Sequence, residues 1–128
     1  MLLLDTDVMV DLLRQQAPAV GWLDSMQDEE ILLPGFVVME LTQGCRTQVD
    51  QKRLQKALAP YGVIWPPPDV CDEALRVFAR FYLSHGLGII DALIGQLAVS
   101  LDLPLHTFNQ KHYAAIPRLR VVQPYPRD

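Results

Sequence analysis

The stretch Met1-Leu2-Leu3-Leu4-Asp5-Thr6-Asp7 sets the fold expected for this chain. Three consecutive leucines indicate a short strand that is buried on both faces, as strands of parallel sheets are. The strand ends at Asp5, and the apolar run over residues 8–13 predicts a helix capped by Thr6 or Asp7. A carboxylate at the carboxyl end of a buried parallel strand lies where open α/β sheets bind ligands. Asp5 is therefore the first candidate site residue.

The composition favours one globular domain over residues 1–128, since half of the residues are hydrophobic and 20% are charged. The net charge of −4 argues against binding nucleic acid through bulk positive charge. It leaves open an enzyme whose acids hold metal ions. Cys45 and Cys71 lack metal-like spacing and are expected to be buried free thiols, a disulfide being the minor alternative. With no signal peptide or bilayer-length apolar run, we expect a cytoplasmic protein without a membrane segment.

Strand-like and helix-like patterns alternate along the whole chain. Short apolar strands are expected near residues 2–4, 31–33, 62–65, 105–107 and 119–122, with helical patterns between them. Such alternation is typical of an α/β fold in which helices cover both faces of the sheet. We therefore expect a three-layer α/β/α domain with a mostly parallel central sheet of four to five short strands.

Three acids lie in apolar surroundings. Asp5 follows three leucines; a helix cap would explain it, but its two neighbours can already cap. Glu40 lies within an apolar helical stretch, where it is either on an exposed helix face or paired with another group or a metal. Asp91 is the one charge near the start of the most apolar helix, where the helix N-terminus could also stabilise it. Gly95, one turn further, leaves room on that face for something to approach.

Each of these acids follows a strand or begins a helix, so a parallel sheet can bring all three to one edge. Three adjacent carboxylates repel one another and raise each other's pKa values, and a divalent cation removes that conflict. Oxygen ligands without a zinc-like His or Cys set favour Mg²⁺ or Mn²⁺. Mg²⁺ held by carboxylates, water and a substrate phosphate is typical of phosphoryl chemistry.

Four blocks of the sequence, in this order, resemble those of the PIN-domain ribonucleases, and most closely the VapC-type toxins of bacterial and archaeal toxin–antitoxin pairs. They are Leu-Leu-Asp5-Thr6-Asp7-Val, Val38-Met39-Glu40-Leu, Ile90-Asp91-Ala92-Leu93-Ile94 and Thr107-Phe108-Asn109-Gln110-Lys111-His112-Tyr113. The resemblance covers essentially the whole chain. It implies a compact α/β/α domain with a Mg²⁺- or Mn²⁺-dependent endoribonuclease site.

By this resemblance Asp5, Glu40 and Asp91 are the metal-binding carboxylates, and one or two metals activate water for in-line attack on an RNA phosphodiester. The family's fourth acid usually falls in the last block, where this chain has Asn109, a neutral ligand for the metal or its water. The residues expected to support the ligands from outside are Thr6, Asp7 and Thr107. His112 is either a phosphate ligand or a surface residue packed beside Tyr113.

The resemblance further implies an RNA substrate, a cognate antitoxin that covers the active site, and a homodimer. Trp22, Leu23 and Met26 either line an antitoxin groove or belong to the core. Four cations near one helix either guide RNA or form a solvated helix face: Arg46, Lys52, Arg53 and Lys56.

Two other functions are compatible with parts of the sequence. The stretch from Asp5 to Val8 also resembles the opening block of haloacid-dehalogenase-type phosphatases, and Thr107 could serve as the hydroxyl residue of that family. However, the late acidic pair that those phosphatases need is missing, and Glu40 has no role there. A catalytically inactive PIN-like domain kept for partner binding is the other alternative, in which the acids are merely structural.

Overall fold

The computed structural model describes residues 1–127. The strands are β1 (Leu2–Leu4), β2 (Ile31–Pro34), β3 (Gly62–Ile64), β4 (Leu105–His106) and β5 (Val121–Val122). The helices are α1 (Thr6–Leu13), α2 (Ala17–Ser25), α3 (Gly35–Gln43), α4 (Gln48–Leu58), α5 (Pro68–His85), α6 (Ile89–Leu101) and α7 (Gln110–Tyr113). The predicted α/β class is confirmed, and the predicted positions of the strands hold to within one or two residues.

The strands of the described residues form one sheet in the order β3-β2-β1-β4-β5, and every pair is parallel. The chain moves outward in one direction from β1 to β3, then returns past β1 to β4 and β5. Because crossovers between parallel strands are right-handed, α1–α4 cover one face and α5–α7 the other. The helix contacts agree, since α1 packs on α2 and α3, while α6 packs on α5 and α7. This gives the predicted three layers.

The centre of the sheet is the pair β1 and β4. Leu3 pairs with Leu105 and Leu4 with His106. The side chains of Leu3 and Leu4 are fully buried. The strand order reverses between these two strands, which makes their carboxyl ends the topological switch point where α/β sheets bind ligands. The residue that follows β1 is Asp5 and the residue that follows β4 is Thr107, so the register places the two side by side.

Candidate active site

Asp5 is both the N-cap of α1 and a buried carboxylate. Its Oδ1 accepts a hydrogen bond of 2.8 Å from the backbone N–H of Thr6, and only 5% of the residue is exposed. The expectation that Thr6 or Asp7 caps this helix is therefore wrong. The reason is geometric, because Asp5 has the extended backbone of an N-cap and lies directly before the first helical residue.

Two hydroxyl groups meet the other oxygen of Asp5. Thr107 Oγ1 donates to Asp5 Oδ2 over 2.8 Å and Tyr113 Oη donates to the same atom over 3.0 Å. Even so, burial and then the negative charge of Asp7 raise the pKa of Asp5 from 3.8 to about 6. The charged form of Asp5 is thus only partly compensated by the protein.

Asp7 holds the loop after β4 in place. Its Oδ2 accepts a hydrogen bond of 2.9 Å from the backbone N–H of Phe108 and faces Thr107 Oγ1 at 3.3 Å. Its Oδ1 accepts from the N–H of Val8. Burial raises the pKa of Asp7. Asp7 therefore joins α1 to the β4 loop and lies beside Asp5.

Glu40 reaches the site from α3. Thr6 Oγ1 donates to Glu40 Oε1 over 3.0 Å, which links the carboxylate to the start of α1 next to Asp5. Glu40 itself is exposed. Glu40 therefore lies on the exposed helix face that was one of its two alternatives, and it is also paired with the Thr6 hydroxyl. Of its apolar neighbours, Leu41 is buried and Met39 is 57% exposed.

Asp91 lies in the first turn of α6, and its side chain is 29% exposed. A Cβ atom at Gly88, the N-cap of this helix, would lie 3.3 Å from Asp91 Oδ2, so the chain passes close to the carboxylate. Burial and then the charges of Asp5 and Asp91 raise the pKa of Tyr113. The Tyr113 hydroxyl is thus bonded to Asp5 and is also subject to the charge of Asp91 on α6.

The block after β4 carries Asn109 and His112. Asn109 is the exposed N-cap of α7, where its side chain makes no capping hydrogen bond and its backbone N–H donates to Thr107 Oγ1 over 3.1 Å. His112 is a surface residue, as one of its two alternatives expected, and it also lies near an acid. Its Nδ1 lies 3.7 Å from Asp91 Oδ2, with 65% of the side chain exposed. The imidazole is thus a neighbour of one of the three acids.

The space above Gly95 is filled by the protein itself. A Cβ atom there would lie 2.4 Å from Ile116 Cδ1 and 3.6 Å from Tyr113 Cδ1. Gly95 therefore leaves room for a close approach on its face of α6, as expected, and the groups that approach are these two protein side chains.

Tyr113 is the site residue that sequence reasoning missed. It entered only as a neighbour of His112, yet it is 1% exposed and bonded to Asp5. The signal that could have found it is the glycine one turn after Asp91, which permits a large ring to lie against α6 between two acids. A buried tyrosine needs a partner for its hydroxyl, and the acids were the natural candidates.

A model of the PIN domain family matches residues 2–118. The chain belongs to the PIN-domain family. Ribonuclease VapC10 of Mycobacterium tuberculosis is 30% identical to this PIN domain over 122 residues, which are 94% of this chain and 91% of the relative. Ribonuclease VapC19 of the same organism is 30% identical over 125 residues, covering 94% and 98%. These relatives show the VapC type, and the predicted family is confirmed.

A solved structure supports the same assignment. The toxin–antitoxin complex from Klebsiella pneumoniae contains a chain that is 25% identical and superposes with a TM-score of 0.79, covering 99% of this chain and 100% of that one. The family assignment leaves the resemblance to haloacid-dehalogenase phosphatases without support.

The donor set of this PIN domain fits a hard divalent cation in its chemistry. Asp5, Asp7, Glu40 and Asp91 offer carboxylate oxygens, and within residues 1–127 no Lys or Arg forms an ion pair with any of them. Over the same residues, no three Asp, Glu, His or Cys side chains are close enough together to hold a metal ion. A cation here would thus keep several waters, as Mg²⁺ commonly does.

The hypotheses of an antitoxin groove and of RNA-guiding cations have different outcomes. Trp22 is buried and packs its ring near His106 and Tyr125, and Leu23 and Met26 pack against the core, so this stripe is core. All four cations around α4 are exposed, which agrees with both of their interpretations. Arg53 lines a groove that also contains Thr6 and Glu40.

Two further expectations are checked by the structure. Cys45 and Cys71 are unpaired but only half-buried. In residues 1–127, no helix has the length and apolar character that crossing a bilayer requires.

Proposed function

We propose that this PIN domain is a metal-dependent endoribonuclease and the toxin of a VapBC-type toxin–antitoxin pair. The observation that carries the proposal is the buried carboxylate of Asp5 at the switch point of the sheet, with Asp91 and Glu40 delivered to the same edge by α6 and α3. The names of the two relatives, both ribonucleases, support RNA as the substrate.

We propose that Asp5, Glu40 and Asp91 hold Mg²⁺ or Mn²⁺, in part through its water molecules, with Asn109 as a neutral ligand for the metal or its water. When bound, such an ion stabilises negative charge on a phosphodiester and lowers the pKa of water at neutral pH. The chain's own part is to hold the carboxylates in place. The hydroxyls of Thr107 and Tyr113 hold Asp5, and the Thr6 hydroxyl holds Glu40.

The supporting residues also fix the loop over which RNA must pass. Asp7 binds the backbone of Phe108, so the turn that carries Asn109 and His112 is tied to α1. The His112 imidazole is exposed beside Asp91 and offers a donor for a phosphate oxygen. Arg53, in the groove beside Glu40, offers a second phosphate contact on the other side of the site.

Expression in bacteria tests the proposed function. Wild-type chain is expected to arrest growth and to create new RNA 5′ ends, whereas Asp5→Asn is expected to do neither because the amide cannot replace a charged ligand. Asp28→Asn, which removes an exposed acid from the turn after α2, is the matched control and should behave as wild type. Equal growth and identical RNA ends for wild type and Asp5→Asn would instead support the inactive, partner-binding alternative.

We propose two protein partners. A cognate antitoxin is supported by the toxin–antitoxin complex from Klebsiella pneumoniae. A homodimer is supported by apolar side chains left exposed on α5 and α6, since Leu75 and Ile89 are 65% and 63% exposed and line one groove. Light scattering of the purified chain should give twice its mass of 14.5 kDa, and Leu75→Glu should shift it to the monomer mass.

We also propose that the protein acts in the cytoplasm as a single PIN domain over residues 1–128. The reducing cytosol suits Cys45 and Cys71, which are both unpaired. One hydrophobic core contains residues from Leu2 to Tyr125, so both ends of the described chain contribute to it.

A further inference from the structure

Asp5 uses its two carboxylate oxygens very differently. Oδ2 accepts two hydrogen bonds, one from Thr107 Oγ1 at 2.8 Å and one from Tyr113 Oη at 3.0 Å. Oδ1 accepts a single bond, from the backbone N–H of Thr6. An ionised carboxylate has about four acceptor positions, two on each oxygen. In this arrangement the positions on Oδ2 are filled and one position on Oδ1 remains.

The hydrogen bond that Tyr113 donates to Asp5 is not shared with a second acceptor. The single hydroxyl hydrogen of Thr107 has two acceptors within reach, Asp5 Oδ2 at 2.8 Å and Asp7 Oδ2 at 3.3 Å. The Tyr113 hydroxyl has one hydrogen bond among the described residues, and that bond goes to Asp5. Its ring is 1% exposed and lies against Gly95 of α6. The hydroxyl is therefore held in place by packing and directed at one atom.

We infer that Tyr113 is a positioning residue that, together with Thr107, makes Asp5 bind its divalent cation through Oδ1 alone. The inference rests on the proposed function, because it concerns the cation that Asp5 would hold. Without the Tyr113 hydroxyl, Oδ2 loses its unshared donor and the carboxylate is free to turn. Loss of such a supporting hydrogen bond typically weakens metal binding by about 10- to 100-fold.

The variant Tyr113→Phe removes the hydroxyl and keeps the ring that packs against Gly95. Titration calorimetry with MnCl₂, without RNA, should show Mn²⁺ binding weakened by about 10-fold or more relative to wild type. Tyr82→Phe removes a hydroxyl from an exposed tyrosine of α5 and should bind Mn²⁺ within about twofold of wild type. Thermal unfolding without metal establishes that each variant is folded. Unchanged Mn²⁺ affinity in a folded Tyr113→Phe protein overturns the inference.

A crystal structure of the wild-type chain grown with MnCl₂ provides a second readout that does not depend on any variant. Mn²⁺ coordinated by Asp5 Oδ1, with Oδ2 still bonded to Thr107 and Tyr113, is the expected result. Mn²⁺ coordinated by Oδ2, alone or together with Oδ1, overturns the role of Tyr113 and leaves the proposed ribonuclease intact. A wild-type chain that binds no Mn²⁺ in either experiment overturns the inference together with the proposed metal dependence.

Discussion

Asp5 performs two structural tasks with one carboxylate. It caps α1 through Thr6 and it accepts the hydroxyls of Thr107 and Tyr113 from the far end of the chain. Both tasks favour the charged form, yet burial and Asp7 oppose that charge and raise the pKa of Asp5 to about 6. The folded site therefore disfavours the negative charge of Asp5, and a bound cation would offset that cost.

This charge makes the stability of the metal-free protein depend on pH. The folded pKa of about 6 exceeds the ordinary 3.8, so the folded state binds this proton more tightly than the unfolded state. The Asp5 contribution to the free energy of unfolding is therefore largest below pH 3.8 and falls as pH rises to about 6, by at most about 3 kcal/mol.

Urea unfolding in EDTA, compared between wild type and Asp5→Asn, measures this contribution. The free energy of unfolding of Asp5→Asn minus that of wild type should increase between about pH 4 and pH 7, by on the order of 1–3 kcal/mol. Parallel pH profiles for the two proteins would show that Asp5 is ionised normally in the folded state.

The sequence singled out three candidate acids but not how each is held. Asp5, Glu40 and Asp91 stand out because strand ends and helix starts carry positional information. The donors to Asp5 come from Thr107 and Tyr113, more than 100 positions away, and local patterns carry no such information. For Glu40 the sequence left two alternatives open, and only the fold shows that it lies exposed and bonded to Thr6.

At the scale of elements, the ends of the helices are set by different means. α5 ends at Gly86, whose φ of 65° lies in the left-handed region and whose N–H donates to the carbonyl of Tyr82. α1 begins with the side-chain cap from Asp5, and α6 begins at Gly88 without one. The start of α6, beside Asp91, thus has no side-chain cap.

Two glycine-to-alanine variants should change stability in opposite directions. Gly86→Ala places a Cβ on a left-handed backbone and should lower the free energy of unfolding by about 1 kcal/mol. Gly21→Ala lies inside α2 with nothing within 4 Å of the added Cβ, and should raise it by up to about 1 kcal/mol. Thermal unfolding of both variants beside wild type checks this; a stabilised Gly86→Ala would contradict the left-handed cap.

The strands and helices were the most predictable features of this molecule. Periodicity located every strand and the long helices, since each buries one face or both against the sheet. Their exact ends were less predictable, because caps such as Asp5 depend on backbone angles and β4 keeps only two ladder residues before Thr107 turns toward Asp5.

At the scale of the whole molecule, residues near the C-terminus bind helix α1 near the N-terminus. Asp11 of α1 is 7% exposed; it accepts hydrogen bonds from Tyr125 Oη at 2.8 Å and from Arg127 Nη2 at 3.1 Å. The Arg127 guanidinium also lies 4.5 Å from the ring centroid of Phe108, whose N–H binds Asp7. The last residues thereby brace the loop of the candidate site.

Tyr125→Phe tests this brace. It leaves a buried Asp11 oxygen without its hydroxyl partner, which should lower the free energy of unfolding by about 1–3 kcal/mol. Tyr82→Phe, at an exposed tyrosine, should change it by less than about 0.5 kcal/mol. Denaturant unfolding of the two variants makes the comparison, and equal losses would show that the Asp11–Tyr125 bond contributes nothing.

The sequence indicated the sheet and the family but not the hydrogen bonds of Asp11 with Tyr125 and Arg127. The final strand was expected near residues 119–122, whereas no contact was predicted for the residues beyond it. Their role depends on Asp11, which reads as an ordinary helical acid until the fold brings Tyr125 and Arg127 to it.

The most direct test of the proposed function is cleavage of an end-labelled RNA by the purified chain. Wild type should cut the RNA with MgCl₂ or MnCl₂ present, stop in EDTA and recover when the metal is restored. Asp5→Asn and Asp91→Asn should each reduce the rate by at least about 100-fold, while Asp28→Asn should match wild type. Equal cleavage by wild type and Asp5→Asn, or full activity in EDTA, would contradict a metal-dependent site built on these carboxylates.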